Sequence, residues 1–203
     1  MPHFTVSAAA GPQNIRGWYE LGASVIEDAE VEAFFDESLS GNEVEFEPGF
    51  RGAIGLGTEL TRYLAVEVEG AFHYNSIDSV RGAASGQGDL FQFPLFGNIV
   101  LQFPNRSGFV PVIGGGVGAV YSIIDANDIT IGATTFSSRE DTWSFAYQGY
   151  AGLIYYFRPE MALGLTYHYV RNDGPNWDDG DGDDVKFDRL VNHSLAFTFT
   201  FHF

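Results

Sequence analysis

The chain has 203 residues, 45% of them hydrophobic and 16% aromatic, with only 18% charged, so it is short of the charge, about a quarter of residues, with which soluble domains cover their surfaces. Acids outnumber bases 27 to 10 and the net charge is −17, which argues against nucleic acid as a partner, because phosphate binding needs a basic face. There is no cysteine, hence no disulfide framework, thiolate ligand or Cys nucleophile, and the length suits one domain or one small barrel.

No run approaches the roughly 18 apolar residues of a membrane-spanning helix, and no charged stretch followed by an apolar one opens the chain. Ser7–Ala10 resembles the small-residue end of a cleaved export signal. Met1–Arg16 is therefore read as a leader, without regular structure or artificial in origin, and residues 17–203 as the folded unit.

From Trp18 onward the pattern has period two, the signature of strands with two unlike faces. Tyr19, Leu21, Ala23 and Val25 oppose Trp18, Glu20, Gly22 and Ser24. Phe50–Gly57 is glycine-rich, with Phe50, Ile54 and Leu56 sharing a face. Leu64, Val66, Val68, Phe72 and Tyr74 oppose Glu67, Glu69 and His73; Phe91, Phe93, Leu95, Ile99, Leu101 and Phe103 oppose Gln92, Asn98 and Gln102. After the glycine-rich Phe109–Tyr121 come Trp143, Phe145, Tyr147, Leu153, Tyr155 and Phe157 against Ser144, Ala146, Gln148 and Gly152. Met161, Leu163, Leu165, Tyr167 and Tyr169 then oppose Thr166 and His168. Last, Leu195, Phe197, Phe199, Phe201 and Phe203 oppose Ala196, Thr198, Thr200 and His202.

These segments make eight strands. Short connections at Thr58–Tyr63, Pro104–Gly108 and Arg158–Glu160 alternate with long ones at Glu27–Gly49, Ser76–Asp89, Ile123–Asp141 and Arg171–Leu190. Short turns at one end and long loops at the other describe an up-and-down barrel with unlike ends. Of the 27 acids, 22 lie in the long loops, and each short turn carries an arginine, Arg62, Arg106 or Arg158.

Alternation alone also fits a soluble barrel or sandwich, but the chemistry of the two faces separates them. One face is Gly, Ala, Ser and Thr with a few Gln, Glu and His, which fits a narrow interior. The other is unbroken Phe, Leu, Tyr, Val and Ile, too bulky to fill that interior and stable outside only against hydrocarbon. In a bilayer every backbone polar group must pair internally, so a β solution must close on itself. The predicted fold is all-β: a closed eight-stranded antiparallel up-and-down transmembrane β-barrel. Trp18, Tyr19, Tyr63, Tyr74, Trp143, Tyr155, Tyr156, Phe157, Tyr169 and Phe203 are expected to form interfacial girdles.

The stretches Phe93–Asn98, Phe109–Gly118 and Phe145–Leu153, with the terminal Phe203, resemble the small eight-stranded outer-membrane barrels of Gram-negative bacteria, of the opacity-protein and outer membrane protein A transmembrane-domain type. The chain departs from that pattern at Val112, where an aromatic usually follows the proline. The resemblance implies a monomer in the bacterial outer membrane, with both termini periplasmic and the acidic loops outside. It also implies a structural or surface-interaction role, with outer-membrane lipid, the barrel-assembly machinery and an extracellular ligand or host protein as partners. Phe203 would then be the assembly signal.

Alternation places Glu20, Arg51, Glu67, Glu69, His73, Gln92, Gln148, His168 and His202 on the inward face, where buried charges need partners. Arg51 should lie across from Glu69–His73 if its strand and the next pair around Glu59–Thr61. In the resembling family such a network plugs the barrel. The alternatives are a narrow passive pore, which an excess of interior acids would make cation-preferring, and, ranked behind it, a lipid-modifying outer-membrane enzyme. Asp178–Asp184 resembles half of a calcium loop, but the carboxylate expected at its twelfth position falls on Leu190, so a solvated acidic loop is expected. His193 and Ser194 are adjacent and point to opposite faces, so they make no nucleophile–base pair. The run Gly114–Gly118 lacks the Lys and helix of a phosphate loop and is read as allowing close approach. No cofactor, metal or catalytic residue is expected, and the chain is not read as an enzyme.

Overall fold

The computed structural model of the chain describes residues 15–27, 29–34, 43–80, 85–131, 134–174, 176–177, 185–187 and 189–203. Among them the backbone forms β1 (Ile15–Ile26), β2 (Ala29–Phe34), β3 (Glu43–Phe46), β4 (Gly49–Thr61), β5 (Leu64–Val80), β6 (Ser85–Gln102), β7 (Phe109–Ile131), β8 (Thr134–Arg158), β9 (Met161–Asp173), β10 (Asn176–Trp177), β11 (Val185–Phe187) and β12 (Arg189–His202). Eight of these close on themselves: β1, β4, β5, β6, β7, β8, β9 and β12 each pair antiparallel with the next, and β12 pairs back with β1.

The register fixes the barrel's dimensions. Followed around the wall from Leu190 through Asn172, Ala146, Gly118, Phe96, Glu69, Gly55 and Trp18, it returns to β12 at Thr200, ten residues beyond its start (190 to 200). With strands about 4.8 Å apart and a rise of about 3.3 Å per residue, that stagger tilts the strands about 40° and sets a backbone radius of about 8 Å, a bore that side chains fill.

The two faces fall as alternation requires. Leu21, Ile54, Leu56, Val68, Leu95, Ile99, Leu163, Leu165 and Leu195 lie exposed on the outer wall, with Phe197 74% exposed, while Arg51, Glu69 and Ser24 inside are at 0%. A greasy outer wall around charged, buried interior groups inverts a water-soluble protein and matches one whose solvent is hydrocarbon. Rings run side by side across β5 to β8 near the long-loop end: Tyr74 to Phe91 at 5.2 Å, Phe72 to Phe93 at 5.3 Å, and Tyr121 to Trp143 at 5.1 Å between centroids.

Three expectations need correcting. Trp18 and Tyr156 are not girdle residues: Trp18 is buried inside the barrel, and Tyr156 turns inward beside His202, 5.7 Å ring to ring. Both share parity with inward residues, and aromatic character at a strand end was the weaker signal. Strand β1 begins at Ile15, so Arg16, read as the end of the leader, is part of the wall; the rest of that leader lies outside the described residues.

Nor are the long connections irregular throughout. Strands β7 and β8 run 23 and 25 residues, and the tilted β7 climbs roughly 55 Å, against a hydrocarbon core of about 30 Å. β3 continues the sheet onto β5, and β2, β10 and β11 continue it further. The wall therefore rises well above the membrane. β-Branched runs such as Ile129–Ile131 and Thr134–Thr135 carry that signal.

Candidate functional site

The interior is built in layers across the axis. At its centre Arg51, on β4, reaches partners on three other strands. Its Nη2 donates to Glu69 Oε1 at 2.7 Å and to Glu20 Oε2 at 3.1 Å, and its Nη1 lies 2.7 Å from His73 Nε2. A guanidinium has donors only, so His73 accepts with Nε2. The Nη2 also lies 3.4 Å from His168 Nδ1. His168 Nε2 stands 2.9 Å from Glu20 Oε2, within ion-pair range but without hydrogen-bond alignment. Glu20 takes a further bond from Thr198 Oγ1 at 2.9 Å. A planar fork suits this task as a lysine would not, since it serves several acceptors from one fixed position.

Glu69 extends the layer across the bore. Its Oε2 accepts from Asn98 Nδ2 at 2.9 Å and from Gln148 Nε2 at 2.6 Å, and Gln148 also donates to Asn98 Oδ1 at 2.9 Å. The glycine run creates the space: a Cβ at Gly116 would overlap Asn98, and one at Gly114 would overlap the Tyr150 ring. Its role is close approach, as the absence of phosphate-loop features implied.

Toward the short-turn end a second layer centres on Glu67. Its Oε1 accepts from Arg16 Nε at 2.7 Å and from Trp18 Nε1 at 3.0 Å, and its Oε2 accepts from Tyr150 Oη at 3.1 Å. Arg16 Nη1 donates to Gln102 Oε1 at 2.9 Å, and Gln102 Nε2 donates to Glu59 Oε1 at 3.0 Å. A cavity of about 30 Å³ separates the two charged layers, with Trp18, Tyr150, Thr166, Thr198 and Thr200 in its lining. It has room for one or two waters. Toward the long-loop end a neutral layer follows. Asn192 Nδ2 donates to Ser24 Oγ at 2.8 Å, Ser24 Oγ to Asn75 Oδ1 at 3.1 Å, and Ser194 Oγ to Asn192 Oδ1 at 2.8 Å.

Of the nine interior residues expected from alternation, Glu20, Arg51, Glu69, His73, His168 and Gln148 meet in the central layer. The pairing of Arg51 with His73 follows the expected register. Glu67 belongs to the lower layer. Gln92 is buried beside His73 in register. His202 sits apart at the short-turn end, its Nε2 3.5 Å from Glu59 Oε1. Arg16, Trp18, Asn98, Gln102 and Tyr150 are interior residues that site selection missed, although the parity of each strand assigns them inward. His193 and Ser194 point apart: His193 Nε2 lies 2.7 Å from Glu27 Oε1 on the outer wall, whereas Ser194 bonds to Asn192 inside. The acidic run Asp178–Asp184 lies outside the described residues.

A closed wall of eight strands, greasy outside and ion-paired inside, is the geometry of a membrane barrel, and the family described as Outer membrane protein beta-barrel domain matches residues 2–203. The chain belongs to that family. Its place is the bacterial outer membrane, with outer-membrane lipid against its apolar wall. No curated protein sequence matches this barrel. Among solved structures it is similar to Neisserial surface protein A at 14% identity, covering 94% of this chain and 97% of that one with a TM-score of 0.61. It is also similar to the outer membrane protein OprG from Pseudomonas aeruginosa at 17% identity, covering 95% and 99% with a TM-score of 0.63. At such identities the likeness is one of fold.

Proposed function

We propose that this outer-membrane barrel is a closed, monomeric scaffold without catalytic activity. Its short turns face the periplasm, and its acidic extracellular segments engage a surface ligand or a host protein. The observation that carries this reading is the Arg51 guanidinium, held across the bore by Glu20, Glu69, His73 and His168 at 2.7 to 3.4 Å. A layer that ties β4 to β1, β5 and β9 at once supports reading the bore as closed. Glu20, Arg51, Glu67, Glu69, His73, Gln92, Gln148, His168 and His202 then serve structure. Phe203, exposed at the closing seam with its N–H on Ile15 O at 3.0 Å, serves as the assembly signal for the barrel-assembly machinery.

A second reading, a narrow cation-preferring pore, draws on the charge count inside: Glu20, Glu67 and Glu69 are buried against Arg16 and Arg51. Planar-bilayer recording separates the two. The closed scaffold gives no single-channel steps, and reproducible cation-selective steps from the purified chain would replace it with the pore.

A further inference from the structure

On one sector of the outer wall, polar side chains reach below the level of the aromatic rings. With the stagger of ten residues and a tilt of about 40°, the Cα atoms of Tyr74, Phe91, Tyr121 and Trp143 fall within a slab roughly 5 Å thick. Rings collected at one level mark the headgroup zone at the long-loop end. By the same geometry Arg171 of β9 and His193 of β12 lie about 5 and 7 Å farther toward the membrane centre. At that depth β5 and β6 turn Phe72 and Phe93 outward, their rings 5.3 Å apart.

The two polar side chains differ in what they still lack. The His193 ring is engaged on both nitrogens, with Nε2 2.7 Å from Glu27 Oε1 and Nδ1 2.6 Å from Tyr167 Oη. Arg171 is only partly satisfied. Its Nε donates to Asp173 Oδ1 at 3.1 Å, and its guanidinium lies 5.9 Å from the centre of the Tyr147 ring, within cation–π reach. Neither Nη group has a hydrogen-bond partner among the described residues, and nor do the hydroxyls of Tyr147 and Tyr169. Tyr147 stands across from Arg171 in register, and Tyr169 precedes it by two residues on the same face. Toward the membrane centre from Tyr147 the outward face of β8 shrinks to Gly149 and Ala151, with Gly115 beside Gly149 on β7. A Cβ at Gly149 would meet no atom within 4 Å, so a shallow trough descends from Arg171 along the wall.

We propose that this sector holds one phosphorylated lipid of the leaflet at the long-loop end, its phosphate on the Nη groups of Arg171 and an acyl chain in the trough along Gly149 and Ala151. A guanidinium whose Nε is taken still offers its two Nη groups to phosphate oxygens, and the tyrosine hydroxyls add neutral donors. Donors facing hydrocarbon with nothing to bond are costly, and a phosphate brought by a lipid removes that cost. Asp173 occupies the Nε side, and Arg189 stands opposite Asp173 in register. The site goes beyond the scaffold reading and does not depend on whether the lumen is closed.

Tryptophan reporters on the outer wall test the site. Val117 of β7, beside the trough, and Leu21 of β1, across the barrel, are both exposed, and their Cα atoms differ in level by only about 2 Å. Val117→Trp and Leu21→Trp are each made in a chain carrying Trp143→Phe and Trp177→Phe, and the signal of interior Trp18 in that chain is subtracted. Each is reconstituted in phosphatidylcholine vesicles and checked for folding by heat-modifiable gel migration. Brominated phosphatidic acid at about 10 mol% should quench Val117→Trp roughly threefold more than Leu21→Trp, because charge-assisted bonds hold it there. Brominated phosphatidylcholine should quench the two alike. Adding Arg171→Gln should abolish the excess at Val117→Trp. If that variant does not fold, Arg171→Lys, which keeps the charge without the planar fork, should lose about half of the excess or more.

Equal quenching of the two reporters by phosphatidic acid would overturn the site. So would an excess that survives undiminished in a folded Arg171 variant, or one that brominated phosphatidylcholine reproduces in full. None of these results bears on the closed-lumen reading, which stands or falls on single-channel current in the unaltered chain.

Discussion

The indole Nε1 of Trp18 donates to Glu67 Oε1 at 3.0 Å inside the barrel. The ring is accommodated because the neighbouring strand carries Gly55, where a Cβ would overlap it. Trp18→Phe keeps an aromatic ring but removes a hydrogen bond to a charged group, worth about 1.5–3 kcal/mol. Glu67→Gln removes the counter-charge of buried Arg16 and should cost more. Urea-induced unfolding from lipid vesicles, followed by gel migration, checks the order: unchanged < Trp18→Phe < Glu67→Gln in destabilisation.

Leu165 and Thr166 are adjacent on β9 and point to opposite faces, Leu165 outward and exposed, Thr166 inward with its Oγ1 2.5 Å from Thr198 Oγ1. An arginine on the lipid face near mid-bilayer costs about 2–4 kcal/mol. Leu165→Arg should therefore sharply reduce the yield of folded barrel in vesicles. Thr166→Ser retains the hydroxyl and should fold almost as the unaltered chain does. Equal yields would refute the assignment of faces.

Strand parity, taken residue by residue, already contained the barrel's wall and most of its interior. Arg51 faces His73 because β4 and β5 pair in the register set around Glu59–Thr61, and that register follows from keeping the apolar face outside. Arg16 stayed hidden because the strand's first turn of alternation, Ile15 against Arg16, is too short to stand out from a leader. Trp18 and Tyr150 share parity with inward residues but were obscured by their size: large rings suggest the lipid face, and it is the glycines at 55 and 114 across the sheet that make room for them inside. The rise of β7 and β8 above the membrane was masked by acids at Asp125, Asp128, Glu140 and Asp141, which read as loop although the backbone there is strand. The layered bonding of Glu67 and Glu69 depends on side-chain reach across the bore, which no linear pattern encodes.

Gly116 and Gly97 occupy adjacent strands with opposite consequences. A Cβ at Gly116 would overlap Asn98, which holds Glu69, whereas one at Gly97 meets no atom within 4 Å. Gly116→Ala should destabilise the barrel by about 1–3 kcal/mol, the range for overpacking a filled interior. Gly97→Ala should be neutral within about 0.5 kcal/mol, as for a surface substitution away from special features. The pair is compared by urea titration in the same lipid, and a larger loss at Gly97 would contradict the inward placement of the glycine run.

Arg51 compensates two buried carboxylates at once, Glu20 and Glu69. Removing one side of a buried ion pair costs about 3–5 kcal/mol, most of it the penalty of leaving a charge without its partner. Arg51→Ala should fold poorly in vesicles or unfold at markedly lower urea. Adding Glu69→Gln removes one of the stranded charges while keeping an acceptor for the amides of Asn98 and Gln148, so the double variant should recover part of the loss. Glu69→Gln alone should be destabilising, because Arg51 then keeps only Glu20 as a direct carboxylate partner. The sign of this coupling separates a charge-compensating network from simple packing: if the two losses merely add, the central layer is held by shape, and the ion pairs contribute little to its stability.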